Sequence, residues 1–192
     1  MKYFITITVI IPVIFFLHAC KTTRTTKSSA NTTTTEMAAN YGTSNNVNNA
    51  VPKVSINTKN VIADSVVEFA KTLIGTRYKY GSAIREQGFD CSGFITYVFN
   101  HFNIQVPRIS RDFTNAGTPV GIVDGKPGDL ILFTGTDTTG WIVGHMGIIT
   151  QNENGKIQFI HSASGKSIGV IISMMSKYFE TRLVKIIRIF SQ

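Results

Sequence analysis

Polar residues dominate positions 21 to about 57, KTTRTTKSSANTTTTE and then NYGTSNNVNN, where apolar positions are sparse and follow no period. Such a stretch buries too little surface to offset the entropy of ordering it, and it reads as a flexible tether. The pattern changes near Asn60, and a domain spanning 58–192 is expected. In NVIADSVVEFAKTLIGTRY, Val61, Ile62, Val66, Phe69, Ala70, Leu73 and Ile74 recur at helical spacing. Asn60 or Thr58 is available as N-cap, and Gly75 as terminator. A second helix is predicted from Cys91 to about Phe102, with Phe94, Tyr97, Val98 and Phe102 on one side and Asp90 as N-cap. Beyond it the period becomes that of strands: DLILFTG (129–135), VGHMGIITQ (143–151), KIQFIHSAS (156–164), SIGVIISM (167–174) and VKIIRIFS (184–191). Asn154-Gly155 is a hairpin turn between the second and third of these. Helices first and an antiparallel sheet second make an α+β domain, its N-terminal helices packed on a sheet of about five strands.

The first twenty residues, MKYFITITVIIPVIFFLHAC, carry one positive charge at Lys2 and then an apolar run from Tyr3 to Leu17, interrupted by Pro12. The run is short for a bilayer span and reads as the apolar region of a secretory signal. Leu17-His18-Ala19-Cys20 resembles a bacterial lipobox, with His18 in place of the small or hydroxyl residue usual there. That resemblance implies lipidation of Cys20. Lys21 stands where an Asp would favour inner-membrane retention in some bacteria, so a lipid-anchored place in the cell envelope, at the outer membrane, is expected. A plain signal peptide cleaved nearby is the other reading. A tether of this length has a coil end-to-end distance of roughly 30–35 Å, enough to sample wall near the membrane.

Of the 192 residues, 43% are hydrophobic and 16% charged, as in a globular protein with a substantial core. The net charge is +8, and more than half of the excess lies in the signal and tether, on Lys2, Lys21, Arg24, Lys27, Lys53 and Lys59 against Glu36. This is solvated linker charge, or an attraction to anionic envelope polymers. No interleaving of aromatic and basic residues points to nucleic acid.

With Cys20 lipidated, Cys91 is the remaining thiol of an exported chain, and an unpaired thiol in an oxidising compartment calls for a reason. A Cys20–Cys91 disulfide is one alternative. A metal site of Cys91, His145 and His161 is another, although no C-x-x-C or H-E-x-x-H spacing supports it. The third is a nucleophile. At a helix start the dipole and unpaired N–H groups are expected to lower a thiol's pKa, aided by a neighbouring imidazole. His18 belongs to the signal, and His101 lies nearly three turns from Cys91. His145 and His161 lie in the two strands of the hairpin. A tight Asn154-Gly155 turn pairs residues whose numbers sum to about 309, which makes the two imidazoles near neighbours across the ladder. They are expected on one sheet face, as base and orienting group for Cys91.

FDCSGFITYVF, GHMGI and FIHSASGKSIGV, with YKYGS (78–82), PRIS (107–110) and KPGDLILF (126–133), resemble the NlpC/p-sixty cell-wall cysteine peptidases over residues 60 to 192, in the family's order. The resemblance implies a papain-like core and hydrolysis of peptidoglycan stem peptides, usually between D-γ-glutamyl and a diamino acid. It implies Cys91 as nucleophile, His145 as base and His161 as the third, orienting residue. By the same match Tyr78 lies near the nucleophile, Asp90 and Ser92 help bind a free amine of the substrate, and Arg108 and Ser110 line the cleft. No cofactor is implied, and a monomer is the default. Ser82 stands where a second Gly is usual, so a narrowed cleft or an altered turn is expected there. Trp141, in the long loop TGTDTTGWIVG, faces the groove or covers the core. A non-catalytic envelope protein binding peptidoglycan in the same cleft is the alternative function.

Overall fold

The computed structural model describes residues 55–165 and 169–191, which fall within one compact unit. Cys20, the signal and nearly all of the expected tether lie outside the described residues.

The elements in chain order are α1 (Ala63–Lys71), β1 (Ala83–Ile84), β2 (Gly88–Phe89), α2 (Cys91–His101), a 3-10 turn (Ser110–Asn115), β3 (Thr118–Val120), β4 (Leu130–Thr134), β5 (Val143–Glu153), β6 (Lys156–Ala163), β7 (Gly169–Met174), α3 (Lys177–Glu180) and β8 (Leu183–Arg188). The α+β expectation holds. All five expected strands form, but the sheet has six, ordered β3-β8-β4-β5-β6-β7 and antiparallel throughout. The sixth, β3, was hidden because it is three residues long and carries Pro119; it pairs only with β8, at the edge where a proline is tolerated. β1 and β2 make a separate two-stranded ribbon just before Cys91.

Alternation along the strands separates two cores. Leu130, Leu132, Met146, Ile148, Ile160, Val170 and Ile187 face α1 and α2, where Val66, Ala70, Phe94, Val98 and Phe99 meet them. Ile131, Phe133, Ile149, Phe159 and Ile186 face the other way, covered by Met175, Phe179 and Leu183. Each fully buried Phe or Leu contributes about 1.5–3 kcal/mol relative to exposure.

α1 starts differently from its expected form. Its N-cap is Ile62, with no side-chain cap, because Thr58 is drawn into a turn in which its carbonyl accepts the Val61 N–H. Gly75, at φ +88°, does end the segment, after a tightened last turn. In the P-G-D stretch, Gly128 (φ +89°) sits so close to α1 that an added Cβ would lie 2.5 Å from that of Ala63. Asp129 accepts the Lys126 N–H and holds Arg188 in a two-point ion pair (2.7 and 3.0 Å), which fastens β4 to β8.

The register of the β5–β6 hairpin decides which face the histidines occupy. Asn154 (φ +53°) and Gly155 (φ +90°) make the expected tight turn. Pairing begins with numbers summing to 309, as in Glu153↔Lys156 and Gln151↔Gln158. Continued unbroken, that register would put His145 and His161 on opposite faces. A bulge at Thr150 intervenes, and the ladder resumes as Ile149↔Phe159 and Ile148↔Ile160. The one-residue slip moves every later side chain to the other face relative to its partners. The bulge therefore brings the two imidazoles onto one face.

Candidate active site

Cys91 is the first residue of α2 and is a free, partly buried thiol. Its position follows from the chain before it. Phe89 donates its N–H to the Arg77 carbonyl and accepts from the Lys79 N–H, so the Tyr78 segment runs alongside. The buried Ser162 Oγ, on β6, donates to the Phe89 carbonyl at 2.8 Å. Asp90 then caps the helix, its Oδ1 accepting from the Gly93 N–H at 2.6 Å. Gly93 is required by the approach of the ribbon: a Cβ there would lie 2.0 Å from the Ser82 carbonyl oxygen.

The ladder between β5 and β6 ends at Ile148 and Ile160. Beyond it, the Cys91 Sγ donates to the Gly144 carbonyl at 3.7 Å. Backbone N–H groups of Ser92, Cys91 and Met146 favour the thiolate, but burial first and the adjacent Asp90 carboxylate second outweigh them and push the thiol up to about 11. The lowered pKa expected of a helix start is thus overturned by desolvation.

The two imidazoles are directly bonded. His145 Nε2 and His161 Nδ1 are 2.8 Å apart, with the rings nearly perpendicular. Gly147 makes room for this: a Cβ there would lie 3.2 Å from that of His161. His161 is only 3% exposed, and its other nitrogen, Nε2, is 2.9 Å from the Ser173 Oγ on β7. Phe133 stacks over His145, while Phe159 and Phe179 enclose His161. Burial holds His145 down to about 4; burial, and then the neighbouring His145, hold His161 down to about 3. At neutral pH the site therefore holds a neutral thiol and two neutral imidazoles, and the thiol contacts Gly144, the residue before His145.

These depressed values carry a stability consequence. An unfolded histidine titrates near 6.5. Between that value and about 4 the unfolded chain binds protons that the native site refuses, so stability rises with pH across this window and falls on acidification. Thermal unfolding at pH 7 and at pH 4.5 is expected to show a smaller loss for His161→Asn than for the wild type. An equal loss would mean that the native imidazoles titrate normally.

The residues expected around the substrate divide into two groups. Asp90, Ser92 and Arg108 form one network: Arg108 spans both Asp90 oxygens (3.1 and 2.7 Å) and donates to the Ser92 Oγ at 3.1 Å. Ser92 Oγ in turn lies 3.3 Å from Asp90 Oδ1. Tyr78 lies beside the thiol, and its phenol is raised by burial and then by Cys91 and Asp90. Ser110, at the start of the 3-10 turn, donates to the Val143 carbonyl at 3.4 Å and ties that turn to β5. Ser82 needs no positive φ; its Oγ accepts from the Ile84 N–H within a local turn, and Gly81 (φ +72°) supplies the bend. Trp141 is 60% exposed, so it does not cover the core. Among the described residues, no group of three or more His, Cys, Asp or Glu is arranged to hold a metal ion.

Ser173 and the aromatic enclosure were not anticipated. The available signal was a lone hydroxyl in the apolar strand GVIISM, but only the β6–β7 register shows that it reaches His161.

Residues 75–188 match the NlpC/P60 family. The chain is 38% identical over 130 residues to a gamma-DL-glutamyl hydrolase of Bacillus subtilis, covering 65% of this chain and 30% of that one. It is 33% identical over 120 residues to the murein DD-endopeptidase MepS/murein LD-carboxypeptidase of Escherichia coli, covering 62% and 58%. A crystal structure of an NLP/P60 family protein, similar to lipoprotein, from Staphylococcus aureus superposes with TM-score 0.56 at 27% identity over 68% of this chain and 42% of that one. The α+β architecture is accordingly papain-like. With the matched segment covering more than half of its length, the chain belongs to the NlpC/P60 family.

Proposed function

We propose that the protein is a peptidoglycan endopeptidase that cuts stem peptides between D-γ-glutamyl and the following diamino acid, with Cys91 as nucleophile. The observation that carries this reading is a helix-start thiol that contacts β5 at the Gly144 carbonyl, with the next residue, His145, hydrogen-bonded to a second imidazole at 2.8 Å. Family membership and the names of the relatives support it.

The steps follow from the resting protonation. Because thiol and imidazole are both neutral, the Cys91 proton passes to His145 Nδ1 as sulfur attacks the carbonyl carbon. His145 then carries the positive charge, and its Nε2–H donates to His161 Nδ1. The developing oxyanion takes the Cys91 backbone N–H, unpaired at the first turn of α2, and the Tyr78 hydroxyl. Collapse expels the amine of the diamino acid, which takes the proton from His145 and leaves a thioester on Cys91. Water, deprotonated by His145, releases the free acid and restores the thiol. Asp90, buried and paired with Arg108, would receive an amine at the N-terminal end of the stem.

We also propose that the lipid on Cys20 and the tether hold this domain in the cell envelope, at the outer membrane, as a monomer with no cofactor. The Leu-His-Ala-Cys sequence and the following Lys21 support this. Fatty-acid labelling of the chain that survives Cys20→Ala would refute the anchor.

Mass spectrometry after incubation with L-Ala-γ-D-Glu-meso-diaminopimelate, the same stem carrying its muramyl group, and a D,D-crosslinked dimer tests the activity. Release of L-Ala-D-Glu from the first establishes the bond. Preference for it over the muramyl form establishes recognition of the free amine. Cleavage of the crosslink alone would favour the bond named for the Escherichia coli relative. Binding without any product would leave an envelope peptidoglycan-binding protein.

A further inference from the structure

We propose that Ser173 is a positioning residue of this site, its Oγ accepting the His161 Nε2–H so that His161 Nδ1 meets His145 as an acceptor. The proposal deepens the proposed endopeptidase reading and rests on it for its catalytic meaning.

The geometry is a line across three adjacent strands. His161 pairs with Ile171, and Ser173 stands two residues further along β7, on the same face as His161. His145 Nε2, His161 Nδ1, His161 Nε2 and Ser173 Oγ are linked by contacts of 2.8 and 2.9 Å. A neutral imidazole carries one N–H, so the chain has two possible polarities. In one, His145 Nε2–H donates to His161 and His161 Nε2–H donates to Ser173, leaving His145 Nδ1 free to take a proton. In the other, Ser173 donates to His161, His161 donates to His145, and His145 Nδ1 is already protonated. Only the first allows His145 to act as a base, and once His145 is charged only the first is possible.

A serine hydroxyl fits either polarity, so its weight lies in what its removal does. His161 is 3% exposed. Without Ser173 the base-competent polarity would bury a donor N–H with no partner, whereas the other polarity would leave only an unpartnered acceptor nitrogen. Among backbone groups an orphaned N–H is the rarer of these defects, the same order is taken for the imidazole, and leaving a buried donor unpaired costs its desolvation. Ser173→Ala therefore tilts His161 toward the Nδ1–H tautomer, which blocks His145.

The test uses the full chain, wild type beside Ser173→Ala and Ser173→Thr, with thermal unfolding to confirm that each folds. Imidazole ¹⁵N correlation spectra at pH 7 are expected to show His161 as Nε2–H in the wild type and Ser173→Thr, and shifted toward Nδ1–H in Ser173→Ala. On a stem peptide, Ser173→Ala is expected to lower kcat about tenfold, the loss of one hydrogen bond. KM should stay within twofold, the acid limb of the pH–kcat profile should move down, and Ser173→Thr should restore the rate. An unchanged tautomer, a wild-type kcat in Ser173→Ala, or an equal loss in the alanine and threonine variants overturns the proposal. If the wild type cuts no stem peptide, the substrate reading fails, and the spectra alone decide Ser173.

Discussion

Cys91→Ala is expected to lower kcat by on the order of 10⁴-fold or more while leaving the fold in place. The size of the loss follows from the absence of a substitute nucleophile. Ser92, the next residue, is buried, and its hydroxyl is shared with Asp90 and Arg108. Ser110 Oγ is directed to the Val143 carbonyl. Neither is shown with an imidazole to take its proton: His145, next to the Gly144 whose carbonyl accepts from the thiol, is hydrogen-bonded to His161. Stability should change little, since the partly buried thiol donates only one long hydrogen bond, of 3.7 Å. Steady-state hydrolysis of L-Ala-γ-D-Glu-meso-diaminopimelate, followed by separation of products, measures the first part; thermal unfolding measures the second. A variant within tenfold of the wild type would remove Cys91 from the reaction.

Gly93→Ala is expected to cost about 3 kcal/mol or more of stability, at the top of the range for overpacking, and to lower the unfolding midpoint on the order of 10 °C. The helix itself would welcome the change, because alanine is the better helix former by about 1 kcal/mol. The site forbids it. The added Cβ would lie 2.0 Å from the Ser82 carbonyl oxygen and 2.9 Å from Asp90 Oδ1. The first contact is with backbone that also accepts the Asp90 N–H at 3.0 Å, so the ribbon and the helix start cannot separate without losing the cap. Relief of the clash moves Cys91 relative to β5, and activity should fall with stability. A midpoint within about 2 °C of the wild type would show that the ribbon yields more easily than its hydrogen bonds imply.

These two effects show what was readable in the chain beforehand. Asp90, Cys91 and the helix that starts there were legible because N-capping is local: an acidic residue three positions before a glycine N–H, followed by helical spacing. The hairpin was legible for the same reason, since Asn and Gly are residue types that readily hold the two positive φ values of such a turn. The face of the sheet was not. The bulge at Thr150 has no glycine or proline to announce it, and only the β5–β6 register shows it. The expectation of two imidazoles on one face was met only through that bulge. Thiol acidity was misjudged because a helix N-terminus is visible in sequence, whereas the desolvation that outweighs it depends on tertiary contacts. Ser173 lay out of view because its partner is on another strand. The cap of α1 failed where a turn took Thr58 for itself.

The account turns on Cys91 forming a covalent bond to the stem peptide. The most direct measurement is an acid quench of the wild type and Cys91→Ala during turnover of excess L-Ala-γ-D-Glu-meso-diaminopimelate, followed by the mass of the peptide that carries residue 91. The account predicts that the wild-type peptide is heavier by the L-Ala-γ-D-Glu acyl group, held as a thioester, and that Cys91→Ala shows neither adduct nor product. An acyl group on another residue, or product from Cys91→Ala at the wild-type rate, would contradict it.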